Sequence, residues 1–144
     1  MPYNMSEASL ESIRNATIQR MSMMIYMRTE LYKISKVGGS LIRPIIADYP
    51  GDPSVDPSDT SSVMFGDHIR AEFQLSKGKM NKITYFPYDE WLDLKTMKIL
   101  NLTLNHHIEV STSLNHVGLY QRGNGTIIAY QDAAKYKIDT MNKI

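Results

Sequence analysis

Asp52, Asp56 and Asp59, at four- and three-residue steps, are the first residues whose type and spacing could hold a metal ion. Calcium takes oxygen ligands, but its loop needs a glycine at the sharp turn, and here Pro53 and Pro57 stand between the carboxylates. The three read as a solvated turn. His68, His106, His107 and His116 form the second candidate set. His106 and His107 are adjacent, so on a strand they point to opposite faces, poor geometry for a single ion. The four read as sheet and loop residues. Gly123-Asn124-Gly125 is too sparse to cradle a phosphate and reads as a hairpin turn. Trp91, Tyr85, Phe86 and Tyr88 could stack on a sugar ring, yet Trp and Tyr in a β-rich segment more often anchor a core. The absence of cysteine removes disulfides, thiolate nucleophiles, cysteine zinc sites and iron–sulfur clusters together. No metal and no other cofactor is expected.

Composition narrows the partners. The chain has 144 residues, 42% hydrophobic and 22% charged, ordinary globular proportions for one domain or a piece of a larger one. Sixteen Lys and Arg against fifteen Asp and Glu give a net charge of +1. That leaves no positive excess to release counterions from a nucleic-acid backbone, so no nucleic-acid partner is expected. No apolar run approaches the roughly 18–20 residues of a membrane span, and Met1-Pro2-Tyr3-Asn4 lacks the charged and apolar regions of a signal peptide. The chain therefore reads as a soluble mature segment. The pattern Asn-x-Ser/Thr recurs at Asn4, Asn15, Asn101 and Asn124, which points to a secretory or lysosomal ancestry and leaves the present compartment open.

These residues need elements to position them. From Ser6 to about Val37, Leu10, Ile13, Thr17, Met21, Met24, Ile25, Leu31, Tyr32 and Ile34 recur mostly at helical steps without internal Pro or Gly, predicting one long helix or two in line. Ser6 is the cap, Glu7 and Glu11 suit the positive end, and Gly38-Gly39 is the stop. The methionines between Met21 and Met27 suit an irregular core or an adaptable contact face. Leu41 to Ala47, apolar without alternation, predicts a fully buried strand of parallel type, with Pro44 near its start or at an irregularity. Gly51 to Ser62 is a Pro/Asp/Ser loop and a boundary. Beyond it, Ile69–Leu75, Ile83–Phe86, Trp91–Leu94, Leu100–Leu104, His107–Ser111, Val117–Gln121 and Thr126–Tyr130 alternate with turns such as Lys77-Gly78-Lys79, predicting an antiparallel β-sandwich.

The letters of these pieces carry a resemblance. Pro2-Tyr3-Asn4-Met5-Ser6-Glu7 opens the helix, Arg14 to Arg20 continues it, and Gly38-Gly39-Ser40-Leu41-Ile42-Arg43-Pro44-Ile45-Ile46-Ala47-Asp48-Tyr49-Pro50 follows. Then come Val63-Met64-Phe65-Gly66-Asp67, Tyr85-Phe86-Pro87, Trp91-Leu92-Asp93-Leu94 and Leu119-Tyr120-Gln121-Arg122-Gly123, running into Thr126-Ile127-Ile128. In order and spacing, residues 2 to 131 resemble the C-terminal part of glycoside hydrolase family 31, which includes the α-glucosidases. The resemblance implies an α+β chain. Residues 1–50 are like the last helix and eighth strand of a (β/α)8 barrel, 51–62 are a loop, 63–131 a β-sandwich and 132–144 a tail. It also implies that the two catalytic aspartates of the retaining mechanism, with the active-site histidine, lie on earlier barrel strands. No residue here inherits those roles. Asp48, at the end of the eighth-strand-like segment where barrels place site residues, is expected to be structural or solvent-facing. Arg70-Ala71-Glu72-Phe73-Gln74-Leu75 departs from the family's hydrophobic strand, Ile127-Ile128-Ala129 from its Ile-Ile-Pro, and Asn124 resembles an insertion, which leaves the sandwich register open.

A helix and one buried strand cannot close a barrel, so the first 50 residues call for a protein partner: the remainder of a glucosidase, or subunits of an assembly. Three functions follow. The chain is the non-catalytic C-terminal segment of an α-glucosidase-like hydrolase, or an accessory subunit derived from that family, or a free carbohydrate-binding module. Carbohydrate is a partner of the first only where the catalytic part is present.

Overall fold

The computed structural model describes residues 5–76, 78–102, 106–111 and 117–123. The expected strand Thr126–Tyr130, the tail, His116, Asn4 and the Asn124 insertion lie outside them, as does part of Leu100–Leu104.

The first helical stretch forms as two helices, α1 (Glu7–Ser22) and α2 (Met24–Val37). Ser6 caps α1 by accepting the Ser9 N–H at 3.3 Å, and Glu7 sits in the first turn where the dipole favours a carboxylate. Met23 separates the helices with φ −93° and ψ 5°, its N–H turning back to Arg20. Gly38 ends α2 with φ 82°, its N–H donating to Ile34 at 2.8 Å.

The Leu41–Ala47 expectation is corrected. Only Ile42–Pro44 forms a strand, β1, and it pairs antiparallel with β2 (Ser62–Phe65), Ile42 opposite Phe65. Ile42 is exposed rather than doubly buried. Proline explains the break: Pro44 has no N–H for the ladder, and at φ −63° and ψ 151° it becomes the N-cap of a single helical turn, α3 (Ile45–Asp48). Ile45 then turns into the core.

The remaining strands are β3 (Ile69–Glu72), β4 (Asn81–Tyr85), β5 (Trp91–Asp93), β6 (Lys98–Ile99), β7 (His107–Ser111) and β8 (Gly118–Arg122). They build a six-stranded sheet, β1-β2-β3-β8-β5-β6, and a two-stranded sheet, β4-β7, all pairings antiparallel. The chain is α+β with antiparallel sheets. The strand expected from Leu100 forms earlier, at Lys98–Ile99, while the Leu100 N–H continues the pairing by donating to Trp91.

Register assigns the faces. Met64, Arg70 and Tyr120 stand opposite one another across β2, β3 and β8, so they share one face of the large sheet. That face packs with Val110 of the small sheet, Phe86, Trp91, Ile45 and Val55 in the larger core cluster. Phe86 meets Trp91 edge-on at 5.6 Å and Tyr120 at 5.0 Å, and the Trp91 indole N–H donates to the Pro87 carbonyl. Trp91 is therefore a core anchor. Phe65, Ile69 and Leu119 occupy the opposite face and take Met23 and Tyr26 of the helices in a second cluster. The large sheet is thus sandwiched between α2 and the small sheet.

Candidate functional site

Three charged clusters join these layers. The first lies where α2 meets the β2–β3 turn. Gly66 makes that turn at φ 64°, and Tyr26 reaches it from α2, its hydroxyl donating to Phe65 O at 2.8 Å and accepting the His68 N–H at 3.1 Å. Glu30, one turn on and buried, accepts the Asp67 N–H at 3.0 Å through Oε2 and the Lys33 ammonium at 2.7 Å through Oε1. Met23, Tyr26 and Glu30 are three and four residues apart, which is why one helical face delivers all of them. Burial pushes the Tyr26 phenol up, keeping it a donor. Burial, with the Lys33 charge, holds the His68 imidazole below the ordinary histidine range.

Glu30, Asp67 and His68 bring their ligand atoms within 4.8 Å of one another, close enough to be tested as a metal site. The donor set argues against it. Lys33 already supplies the positive charge, bonded to Glu30 and 3.8 Å from Asp67, and Arg43 approaches Asp67 at 3.3 Å. A metal ion would have to displace that ammonium.

The second cluster centres on Asp48. Arg43 grips it with two parallel bonds, Nε to Oδ1 at 2.8 Å and Nη2 to Oδ2 at 3.2 Å, and Arg122 of β8 donates to Oδ2 at 3.2 Å. Arg122 also pairs with Asp89 at 3.3 Å and lies 4.9 Å above the Tyr49 ring, whose phenol burial pushes up to about 12. Arg43 further donates to the Ser40 and Gly66 carbonyls, linking this cluster to the first. Asp48 is structural, tying β1–α3 to β8.

The third cluster lies between the sheets. Arg70 Nε donates to Glu72 Oε1 at 2.6 Å and Nη2 donates to Thr84 of β4 at 3.1 Å, while Lys82 donates to Glu72 Oε2 at 2.8 Å. The Arg70 guanidinium stacks 4.2 Å over Phe86. Its Nη1 is buried and has no hydrogen-bond partner among the described residues. Glu30, Asp48 and Glu72 each carry a cationic partner, which is how these elements are fastened together.

The other sequence candidates do not converge with these. Asp52, Asp56 and Asp59 each accept the N–H two residues on, from Ser54, Ser58 and Ser61, as turn-forming aspartates do. A bond from the Tyr85 hydroxyl, then one from the Ser54 N–H, holds Asp52 below the usual carboxylate range. His106 and His107 do not alternate as strand neighbours: His106 precedes β7 with φ 54°, and both rings approach Tyr85, at 6.1 and 5.2 Å. Tyr88 is exposed and stacks on His106 at 5.0 Å. Sequence reading missed Tyr26, Glu30, Arg70 and Glu72 as partners. For the first two, the signal was the spacing from Met23.

A family model described as the glycosyl hydrolase family 31 C-terminal domain matches residues 38–128. An uncharacterized family 31 glucosidase of Schizosaccharomyces pombe is 32% identical over 128 residues, covering 87% of this chain and 13% of that protein. Bovine (Bos taurus) lysosomal alpha-glucosidase is 28% identical over 96 residues, covering 67% of this chain and 10% of its own length. This chain thus spans about a tenth of the relatives it matches. Among solved structures, a Flavobacterium johnsoniae dextranase superposes with a TM-score of 0.78 at 19% identity, over 92% of this chain and 17% of that one. The Listeria monocytogenes cycloalternan-forming enzyme gives 0.78 at 23% identity, over 87% and 11%. These likenesses establish the fold.

Proposed function

Because the chain belongs to glycoside hydrolase family 31, we propose that it works as the non-catalytic C-terminal segment of an α-glucosidase-like hydrolase acting on α-linked glucose. In this reading residues 1–50 complete the end of the catalytic barrel, 51–62 form a loop, 63–131 are the C-terminal sandwich and 132–144 a tail. The catalytic aspartates stand on residues outside this chain. The observation that carries the reading is α1: sixteen residues, none buried, with Leu10, Ile13 and Ile18 exposed along it. A helix with no buried residue lacks the tertiary packing from which helices in proteins draw most of their stability, and a partner packed on it supplies that. The remainder of the glucosidase is the partner of matching chemistry. The charged clusters then act mechanically, the first two holding α2 and β1–α3 to the large sheet and the third joining the two sheets, so that the helical end and the sandwich move as one piece.

The test is the particle that contains this polypeptide. Native mass measurement with mass spectrometry of its components is expected to find these residues joined to, or comigrating with, a family 31 catalytic portion, and the chain alone is expected to release no nitrophenol from a chromogenic α-glucoside. A particle holding only unrelated subunits, a monomer of 144 residues, or turnover by the chain alone overturns the reading.

A further inference from the structure

We propose that the cavity between β3, β4 and the 54–59 loop binds one neutral, hexose-sized polyol. The cavity measures about 280 Å³, near the lower end of the roughly 300–1,000 Å³ typical of ligand sites, which suits one ring and not a chain. Its inner wall is Arg70, which is 1% exposed and carries the unpartnered Nη1, beside Thr84. A buried guanidinium N–H without an acceptor is costly, and a ligand hydroxyl is an acceptor that can relieve it. Charge decides the ligand class. Arg70 and Lys82 lie against Glu72, and the rim adds Asp56 and Asp59, so the surroundings sum to two positive and three negative charges. An anion is disfavoured. A neutral polyol uses donors and acceptors together, and Asp56 spends only Oδ1 on its Ser58 bonds, leaving Oδ2 for a ligand hydroxyl. Tyr85 supplies an aromatic wall, fixed by its hydroxyl bond to Asp52 at 2.7 Å. Ile45 and Val55 supply apolar surface for the ring's C–H face.

The inference goes beyond the proposed function and does not depend on it, since it concerns binding within this chain and not hydrolysis. It is tested by titrating the 144-residue chain with glucose and, separately, with inorganic phosphate. Saturation transfer to the sugar protons and emission of Trp91, whose ring lies 5.8 Å from the Arg70 guanidinium, are the two readouts. Glucose is expected to give a saturable response in the millimolar range, weakened at least tenfold by Tyr85→Ala with the urea midpoint retained. Asp56→Asn, on the exposed loop, is the second variant and is expected to weaken binding several-fold should Tyr85→Ala unfold. No saturable glucose response, a response that survives both substitutions, or phosphate binding in place of glucose overturns the inference.

Discussion

Replacing Gly66 by alanine tests whether the β2–β3 turn locks α2 onto the sheet. A Cβ built there runs into the Tyr26 hydroxyl and lies 2.7 Å from Glu30 Cγ and 2.9 Å from Glu30 Oε2, on a backbone at φ +64°. The left-handed conformation alone costs an L-residue about 1–2 kcal/mol. Tyr26 cannot swing aside freely, because its ring packs in the Met23–Ile69 cluster and its hydroxyl bonds Phe65 O and the His68 N–H. Relieving the clash breaks those two bonds and strains the Glu30 bond to Asp67, and unpaired buried groups cost about 1–3 kcal/mol. The sum is about 2–5 kcal/mol. Two controls divide it. Gly78→Ala places a Cβ in open space at φ +77° and reports the positive-φ cost without a clash, whereas Gly51→Ala has neither clash nor positive φ and is expected to be neutral. Trp91, the one tryptophan and fully buried, reports urea unfolding by fluorescence. A Gly66→Ala loss no larger than that of Gly78→Ala refutes the lock.

Three further outcomes follow from the clusters and the helix face. Glu72→Ala leaves Arg70 buried and uncompensated and is expected to cost about 3–5 kcal/mol in the same urea assay, with Arg70→Met/Glu72→Leu costing less than the two single changes added. His68, held low by burial and by Lys33, takes up its proton in the unfolded chain before the folded one. Its contribution is therefore complete above its unfolded pKa of about 6.5 and is lost as pH falls below that value, so the urea midpoint is expected to drop between pH 7.5 and pH 5.5, less steeply in His68→Gln. Ile18→Asp on exposed α1 is expected to leave the urea midpoint of the isolated chain within about 0.5 kcal/mol of the parent while abolishing its retention in the larger particle, measured by native mass.

What the sequence disclosed depended on which signals were periodic. Trp91–Asp93 and His107–Ser111 form where alternation and flanking turns placed them, and Ser6 and Gly38 bound the helical stretch as their capping chemistry requires. The apolar run from Leu41 had no period to read, so its content alone could not separate a strand from a helical turn. Pro44, present in the letters, was the residue that decided it. Glu30, Arg70 and Glu72 were illegible for another reason. Charged residues are expected outside, and each of these is inside because it is paired there: Glu30 with Lys33 one helical turn on, Arg70 with Glu72 two residues along β3, and Glu72 also with Lys82 from β4. Arg70 and Glu72 nonetheless sit in a regular strand: β3 pairs with β2 and β8, and all four of its residues are buried.

The sheet edges limit how this chain can meet anything else. β1 exposes one end of the large sheet for only three residues, the last of them a proline, and β6 exposes the other end for two. Edges this short cannot template a foreign strand. Backbone pairing across these two edges of the large sheet is therefore a poor means of attachment, whereas β4 and β7 of the small sheet are five residues long. Large apolar side chains are left uncovered on the helices, Leu10, Ile13 and Ile18 on α1 with Ile25 and Leu31 on α2, and also on the strands and loops, among them Ile42, Ile83, Tyr88 and Ile99. Contacts of that kind orient the chain only when the helices presenting them are rigidly fixed to the rest. Tyr26 and Glu30 supply that fixation for α2, reaching from it to the β2–β3 turn, and Arg43 joins the same turn to Asp48 and so to β8. The charges of the first two clusters thus fix α2 and β1–α3 against the sheet, with Glu30 the buried member among them.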